Sequence, residues 1–201
     1  MVEIIDRYSR FGKNLLKITS FVLGYKDVFS LEKLITLIHE WLVEEGYATR
    51  DDEKFGEVFY LQKDNPVAGN EYWIRWRLEK TPFQTKLWKY LLDIDIHVLG
   101  LKKVELVAGG KKLEADKGKV EIAADFGLLL DPQNLLEAPV IKPFKMLVLK
   151  GFLKAQFSKH KEAVFTDAQR LQDMLKSYLR LETYLTEKGL PEFLGKRPEA
   201  R

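Results

Sequence analysis

The segment DIDIH places two carboxylates and an imidazole at every second position. Asp93, Asp95 and His97 would lie on one face of a β-strand, because side chains alternate between the two faces. Carboxylate oxygens suit divalent cations, and a bound metal ion can activate water for hydrolysis. Together with Glu105 from a neighbouring strand, the pattern indicates one hypothesis, a metal-assisted hydrolase. A flat strand presents its ligands in a line, however, and wraps a cation poorly.

Further carboxylates continue the alternation through short predicted strands at 101–107, 111–116 and 119–126. Glycine-containing pairs between these strands predict hairpins at Leu99-Gly100, Gly109-Gly110 and Lys117-Gly118. That register aligns four carboxylates in one row: Asp95, Glu105, Glu114 and Glu121. Like charges opposite each other are unfavourable in a sheet. The row is therefore either a solvated face offset by nearby lysines or a surface on which a basic protein partner docks.

The same register predicts an apolar inner face behind the carboxylates, which helices should cover. Its members are Ile94, Ile96, Val104, Leu106, Leu113, Val120 and Ile122. Four large aromatic residues share this face: Tyr72, Trp76, Trp88 and Tyr90. They either fill the core or line a pocket for an apolar small molecule, with the tyrosine hydroxyls as its polar groups. No cofactor is predicted.

The elements that position these residues follow from periodicity. Apolar residues at helical spacing after Ser30 predict a helix over 31–45. Alternation predicts strands in 56–63, 70–80 and 87–99, whereas 14–23 fits a strand or a helix, with its β-branched content favouring a strand.

Two C-terminal helices are predicted, over 143–161 and 166–187. The second would begin at a capping box formed by Thr166 and Gln169.

Three lysines fall on one flank of the first C-terminal helix: Lys150, Lys154 and Lys161. Beside apolar residues, such a flank could contact an anionic membrane surface. The alternative is an ordinary packed helix whose lysines extend to solvent.

Composition narrows the classes of function. The 201 residues contain no cysteine, which excludes disulfides, thiolate catalysis and cysteine-bound metals. No apolar run is long enough to span a membrane, and no export signal is evident, so a cytoplasmic location is expected. The net charge of +3 disfavours a dedicated nucleic-acid binder. Arg75 and Arg77 flank Trp76, but the tryptophan points to the opposite face from them.

The order of elements predicts an α+β domain over 1–190, followed by a loose polar tail over 191–201. Its antiparallel meander of about six strands would be packed on one face by an N-terminal helix and two C-terminal helices. This order resembles the helix-grip arrangement of START-like lipid-binding domains, in which a curved sheet closes on a long C-terminal helix. The resemblance rests on element order and assigns no site residues. We therefore expect a non-catalytic binding module.

Overall fold

The computed structural model describes residues 15–51, 55–83, 85–108, 111–137 and 152–188. It forms an antiparallel sheet of five strands in the order β1-β5-β4-β3-β2, with two α-helices. The elements are β1 (Leu15–Phe29), α1 (Leu31–Glu44), β2 (Glu57–Lys63), β3 (Asn70–Lys80), β4 (Trp88–Ala108), β5 (Lys111–Leu130), a short 3-10 helix (Leu135–Glu137) and α2 (Phe152–Lys188). The α+β class is thus confirmed.

The N-terminal predictions agree with the structure. Of the segment 14–23, residues 15–23 belong to strand β1, which pairs along its length with β5. Helix α1 begins after Ser30, whose hydroxyl accepts a hydrogen bond from the Lys33 amide at 3.4 Å. The apolar stripe of α1 is buried at Leu34, Ile38 and Leu42.

Two of the predicted hairpins are wrong, because β4 and β5 are each continuous. At Leu99-Gly100 the chain makes a bulge: Leu99 pairs with Lys119, and the next pair is Lys102 with Lys117. Gly100 has φ +64, and Gly69 approaches it so closely that a Cβ on Gly69 would lie 2.5 Å from the Gly100 carbonyl carbon. Glycine is favoured at both positions, at Gly100 by the positive φ and at Gly69 by the close backbone contact. Gly100 therefore marks a bulge rather than a turn. Because β4 continues through it, the described residues form five strands instead of the expected six.

The bulge reverses which face each later residue of β4 occupies. An extra residue in one strand shifts its alternation by one position. Ile96 is buried against the helices, whereas Val104 lines an outer groove together with Lys117 and Lys119. The predicted continuation of the inner face through Val104 is therefore wrong.

The predicted row of four carboxylates is also wrong. Asp95 pairs with Arg75 on one side and Ala123 on the other, and Glu121 pairs with His97. Glu105 does pair with Glu114, as the hairpin at Gly109-Gly110 predicts. Val104 lies on the outer face, as Asp95 does. Because side chains alternate along a strand, the next residue, Glu105, lies on the opposite, inner face. The side chains of Leu106, Leu113 and Glu114 lie outside the described residues.

The C-terminal region is a single helix across the predicted break. Thr166 lies within α2, and its hydroxyl donates to the Glu162 carbonyl at 3.0 Å instead of capping a new helix. Threonine inside a helix commonly donates in this way to the carbonyl four residues earlier. The helix continues without a break through 157–166. The predicted residues 143–151, and the tail 191–201, lie outside the described residues.

Both helices cover the same face of the sheet. The buried apolar side chains form one cluster. Its members include Ile74, Trp76, Leu92, Ile94, Ile96, Val98, Val120, Ile122 and Phe126 from the sheet, Leu34, Ile38 and Leu42 from α1, and Val164, Leu171 and Leu175 from α2. The opposite face of the sheet carries the alternating charges.

Candidate functional site

The four predicted aromatic residues do not form one site. Trp88 and Tyr90 lie where β4 begins, beneath α2. Trp76 is 3% exposed in the middle of the core, where its indole NH donates to Glu57 Oε2 at 3.1 Å and its ring meets Phe55 edge-on. Tyr72 lies at the far end of the sheet. The four residues are therefore spread along the inner face, with Trp88 and Tyr90 at one end of the sheet and Tyr72 at the other.

A buried polar cluster occupies the first end. Asp167 of α2 accepts hydrogen bonds from Lys80 Nζ at 2.9 Å and from the Tyr47 hydroxyl at 3.0 Å. Lys80 Nζ also lies 5.0 Å from the centre of the Tyr47 ring, close enough for a cation–π contact. Glu45 completes the group, with Lys80 at 3.8 Å and Arg170 at 2.7 Å. The charges are paired, as buried charges must be.

The tyrosines of this cluster are held in the neutral form. Burial and then the charge of Asp167, which also accepts its hydrogen bond, raise the pKa of Tyr47 well above its usual value. Burial, followed by the charge of Asp167, raises the pKa of Tyr90 to about 12. Neither hydroxyl can act as a base near neutral pH.

His160 joins this end of α2 to the sheet. Its Nδ1 lies 2.8 Å from the Tyr90 hydroxyl, and its ring lies 5.2 Å from that of Trp88. The protonated Tyr90 hydroxyl donates to Nδ1 in the tautomer with its proton on Nε2 and accepts from Nδ1–H in the other. Burial, and then the charge of Lys159, lower the pKa of His160.

The cluster joins α2 to β3 and to the segment after α1 through hydrogen bonds and ion pairs. It contains no activated nucleophile, and each charged group already has a partner. Trp88 Nε1 is buried without a hydrogen-bond partner among the described residues. The ring contacts of Trp88 with Phe157 and His160, and the contact of Tyr90 with His160, hold α2 against the sheet.

Stability should fall in mild acid because of His160. The pKa of His160 is lower in the folded protein than the value of about 6.5 expected in the unfolded chain. Its contribution to stability is therefore complete above that unfolded value and decreases as the pH falls towards the folded pKa. The melting temperature of the protein should thus decrease between pH 7.5 and pH 5.5. In His160→Phe, which keeps the aromatic contact, this decrease should be smaller. Equal decreases in both proteins would contradict a role for His160.

A cleft of about 580 Å³ occupies the second end of the inner face. The first turn of α1, the β2–β3 turn, Tyr72 and the β4 bulge surround it. Leu31, Tyr72 and Leu101 contribute apolar surface, and Lys102 and Lys103 lie at its margin, where the Lys103 side chain is 79% exposed. The volume falls in the range typical of small-molecule sites.

Hydrogen bonds order the walls of this cleft. Asp116 of β5 accepts from the Leu31 amide at 3.3 Å, and Tyr178 of α2 donates to the Ser30 carbonyl at 3.1 Å. Across the cleft, Asn65 Oδ1 accepts from the amides of residues 67 and 68 at 3.0 and 2.8 Å, which fixes the β2–β3 turn. The cleft is thus built from backbone that is held in place before a ligand binds.

The predicted metal ligands are not gathered at one point. Arg77 lies between the two aspartates, 2.7 Å from Asp95 Oδ1 and 3.6 Å from Asp93 Oδ2. Arg75 Nε is 4.0 Å from Asp95, an ion-pair contact too long for a hydrogen bond. Within the described ranges, no group of three or more His, Asp or Glu side chains is placed to hold a metal ion. The alternating aspartates are paired with arginines of β3.

His97 is engaged elsewhere on the outer face. Its ring stacks on Trp73 with 3.5 Å between centroids, and Nε2 lies 3.0 Å from Glu71 Oε1. The hydrogen bonds from His97 and then Trp73 lower the pKa of Glu71. A His97–Asp95 pair, which the hydrolase hypothesis needs, is therefore replaced by a His97–Glu71 pair that the sequence did not indicate.

Lys154 and Lys161 are exposed on α2, whereas Lys150 lies outside the described residues. Their contact with a membrane stays a prediction. None of the helices among the described residues has the length and apolar character needed to cross a membrane.

Comparison with known proteins adds no assignment: no family model matches the chain, and no curated protein is significantly similar to it.

Proposed function

We propose that the protein is a non-catalytic binding module that holds a small amphipathic molecule in the cleft beside Tyr72. The observation that carries the proposal is the position of the cleft: it lies at the end of the apolar face, between sheet and helix, with lysines at its margin. The apolar part of the ligand would contact Leu31, Tyr72 and Leu101. Lys103 would attract an anionic group at the opening.

The architecture supports this proposal. A long C-terminal helix packed on one face of an antiparallel sheet is what a helix-grip domain requires, and α2 covers the face on which the cleft opens. Docking of a basic partner on the acidic face has less support, because Arg77 already offsets the charge of Asp95 and Asp93. The metal-assisted hydrolase has less support for the same reason.

Titration with 8-anilinonaphthalene-1-sulfonate tests the proposal, since this probe combines an apolar ring system with one anionic group. We expect saturable fluorescence enhancement at a single site. Tyr72→Ala should weaken binding about tenfold, equivalent to ~1.4 kcal/mol of lost contact. Lys103→Glu should weaken it as well, because it reverses the charge at the opening.

Two exposed residues supply matched controls. Tyr60→Ala removes a tyrosine that is 52% exposed on β2, and Lys154→Glu makes the same charge change on α2. Neither should change the dissociation constant. The absence of saturable binding, or equal effects of Tyr60→Ala and Tyr72→Ala, would count against the cleft.

A further inference from the structure

A second concave surface lies on the outer face of the sheet, beside the β4 bulge. This groove has a volume of about 450 Å³. Four exposed lysines from three strands line it: Lys26, Lys102, Lys117 and Lys119. Asp27 is the one carboxylate among the lining residues. Because the whole chain has a net charge of only +3, the groove is a local concentration of positive charge rather than part of a generally basic surface.

The strand register places these lysines in two like-charge pairs. Lys26 of β1 is directly opposite Lys119 of β5, and Lys117 of β5 is directly opposite Lys102 of β4. Facing cross-strand residues have Cβ atoms about 5 Å apart, so like charges at these positions destabilise a sheet. Two adjacent pairs on one face are therefore a cost to the unliganded fold.

The neighbouring groups offset little of this charge. Lys102 Nζ donates to the Val67 carbonyl at 2.6 Å, a contact that orients the ammonium group without neutralising it. Lys119 Nζ is 3.5 Å from an exposed carboxylate, Glu121. An anion bound between the pairs would offset the repulsion directly.

Glycines shape the floor of the groove. Gly100 and Gly118 both line it, and a Cβ on Gly118 would lie 3.1 Å from the Leu99 carbonyl oxygen. Because side chains alternate along a strand, the Cβ position of Gly118 is on the face opposite to Lys117 and Lys119, so this glycine lets β5 approach the bulge of β4 closely.

We propose that this groove binds phosphate groups, and that its ligand carries at least two of them. Two pairs of ammonium groups across a concave surface match two adjacent phosphates, because lysine binds phosphate as a flexible point charge. The phosphates could belong to a free polyphosphate compound or to lipid headgroups. The proposal does not depend on the cleft, since Lys26 and Lys117 do not line it.

Calorimetric titration with sodium pyrophosphate and with tripolyphosphate at low salt tests the free source. We expect binding that weakens as salt is added, because exposed charges are screened. The double variant Lys26→Gln, Lys117→Gln should weaken binding at least about tenfold, since it removes two charged hydrogen-bond donors. Without ligand, this variant should melt at the same temperature as the native protein or higher, because one lysine of each repulsive pair is gone.

A second arm tests the lipid source by co-sedimentation with phosphatidylcholine vesicles, with or without phosphatidylglycerol. Sedimentation that requires phosphatidylglycerol and is lost in the double variant supports the proposal with a lipid ligand, even if pyrophosphate does not bind. The control is Lys63→Gln, Lys86→Gln, which removes two exposed lysines that line neither the groove nor the cleft and should change either binding less than twofold. Absence of binding in both arms, or equal losses in the groove and control variants, would overturn the proposal.

Discussion

Replacing Asp167 by Ala should lower the free energy of unfolding by about 3–5 kcal/mol, the range expected when one partner of a buried ion pair is removed. The substitution leaves the Lys80 ammonium group without its 2.9 Å partner and the Tyr47 hydroxyl without its acceptor. Lys80 keeps the 3.8 Å ion pair with Glu45 and the cation–π contact with the Tyr47 ring. Urea denaturation, followed by tryptophan fluorescence, measures the change.

Asp173 provides the matched control, because it lies exposed on the same helix. Asp173→Ala should change stability by less than about 0.5 kcal/mol, as is usual for surface substitutions. The double variant Lys80→Met, Asp167→Leu should recover much of the loss, since apolar replacements of both partners remove the unpaired charge. An Asp167→Ala protein as stable as the native one would show that the cluster does not stabilise the packing of α2 on the sheet.

Replacing Ile96 by Ala should cost about 2–5 kcal/mol, whereas Val104→Ala should cost less than about 1 kcal/mol. Ile96 is 1% exposed and belongs to the core cluster. Val104 stands eight positions further along the same strand, where unbroken alternation would put it on the same face. The bulge moves it to the outer groove instead.

Comparing the two urea midpoints therefore tests the bulge itself. Glu105→Gln serves as a further reference on the same strand, with an expected change within about 0.5 kcal/mol. Equal, large losses for Ile96→Ala and Val104→Ala would mean that both side chains face the core and that the alternation is not reversed.

The periodicity of apolar residues predicted helices and strands well where one face of the element is buried along its whole length. The strand β3 spans Asn70–Lys80, and α1 spans Leu31–Glu44, both close to their predicted bounds. The pattern failed at Gly100, because glycine permits a bulge as readily as a turn, and the residue that packs against it, Gly69, is remote in sequence. One undetected extra residue then reversed the face assignments in the rest of β4, whereas Val120 and Ile122 of β5 lie in the core as predicted.

The candidate sites were less accessible to sequence reasoning. The alternation makes Asp93 and Asp95 candidate metal ligands only as one of several alternatives, and it does not reveal their partner, Arg77, because Arg77 stands on another strand. The hydrogen bond between Tyr47 and Asp167 joins residues 120 positions apart, and no local sequence pattern predicts it. Lys26 and Lys119 are equally remote in sequence, so their juxtaposition became visible only with the register of β1 on β5.

The pairing of β1 with β5 also bears on how the chain folds as it is synthesised. Leu15 pairs with Leu129 and Phe29 with Asp116, so β1 must wait for β5, the last of the five described strands to be synthesised. Long-range strand pairing is slow because loop closure precedes any gain in contacts. Meanwhile β4 and β5 can join as a local hairpin. We therefore expect nascent chains that end before β5 to expose β1 as an unpaired, partly apolar edge and to be the species most prone to aggregate.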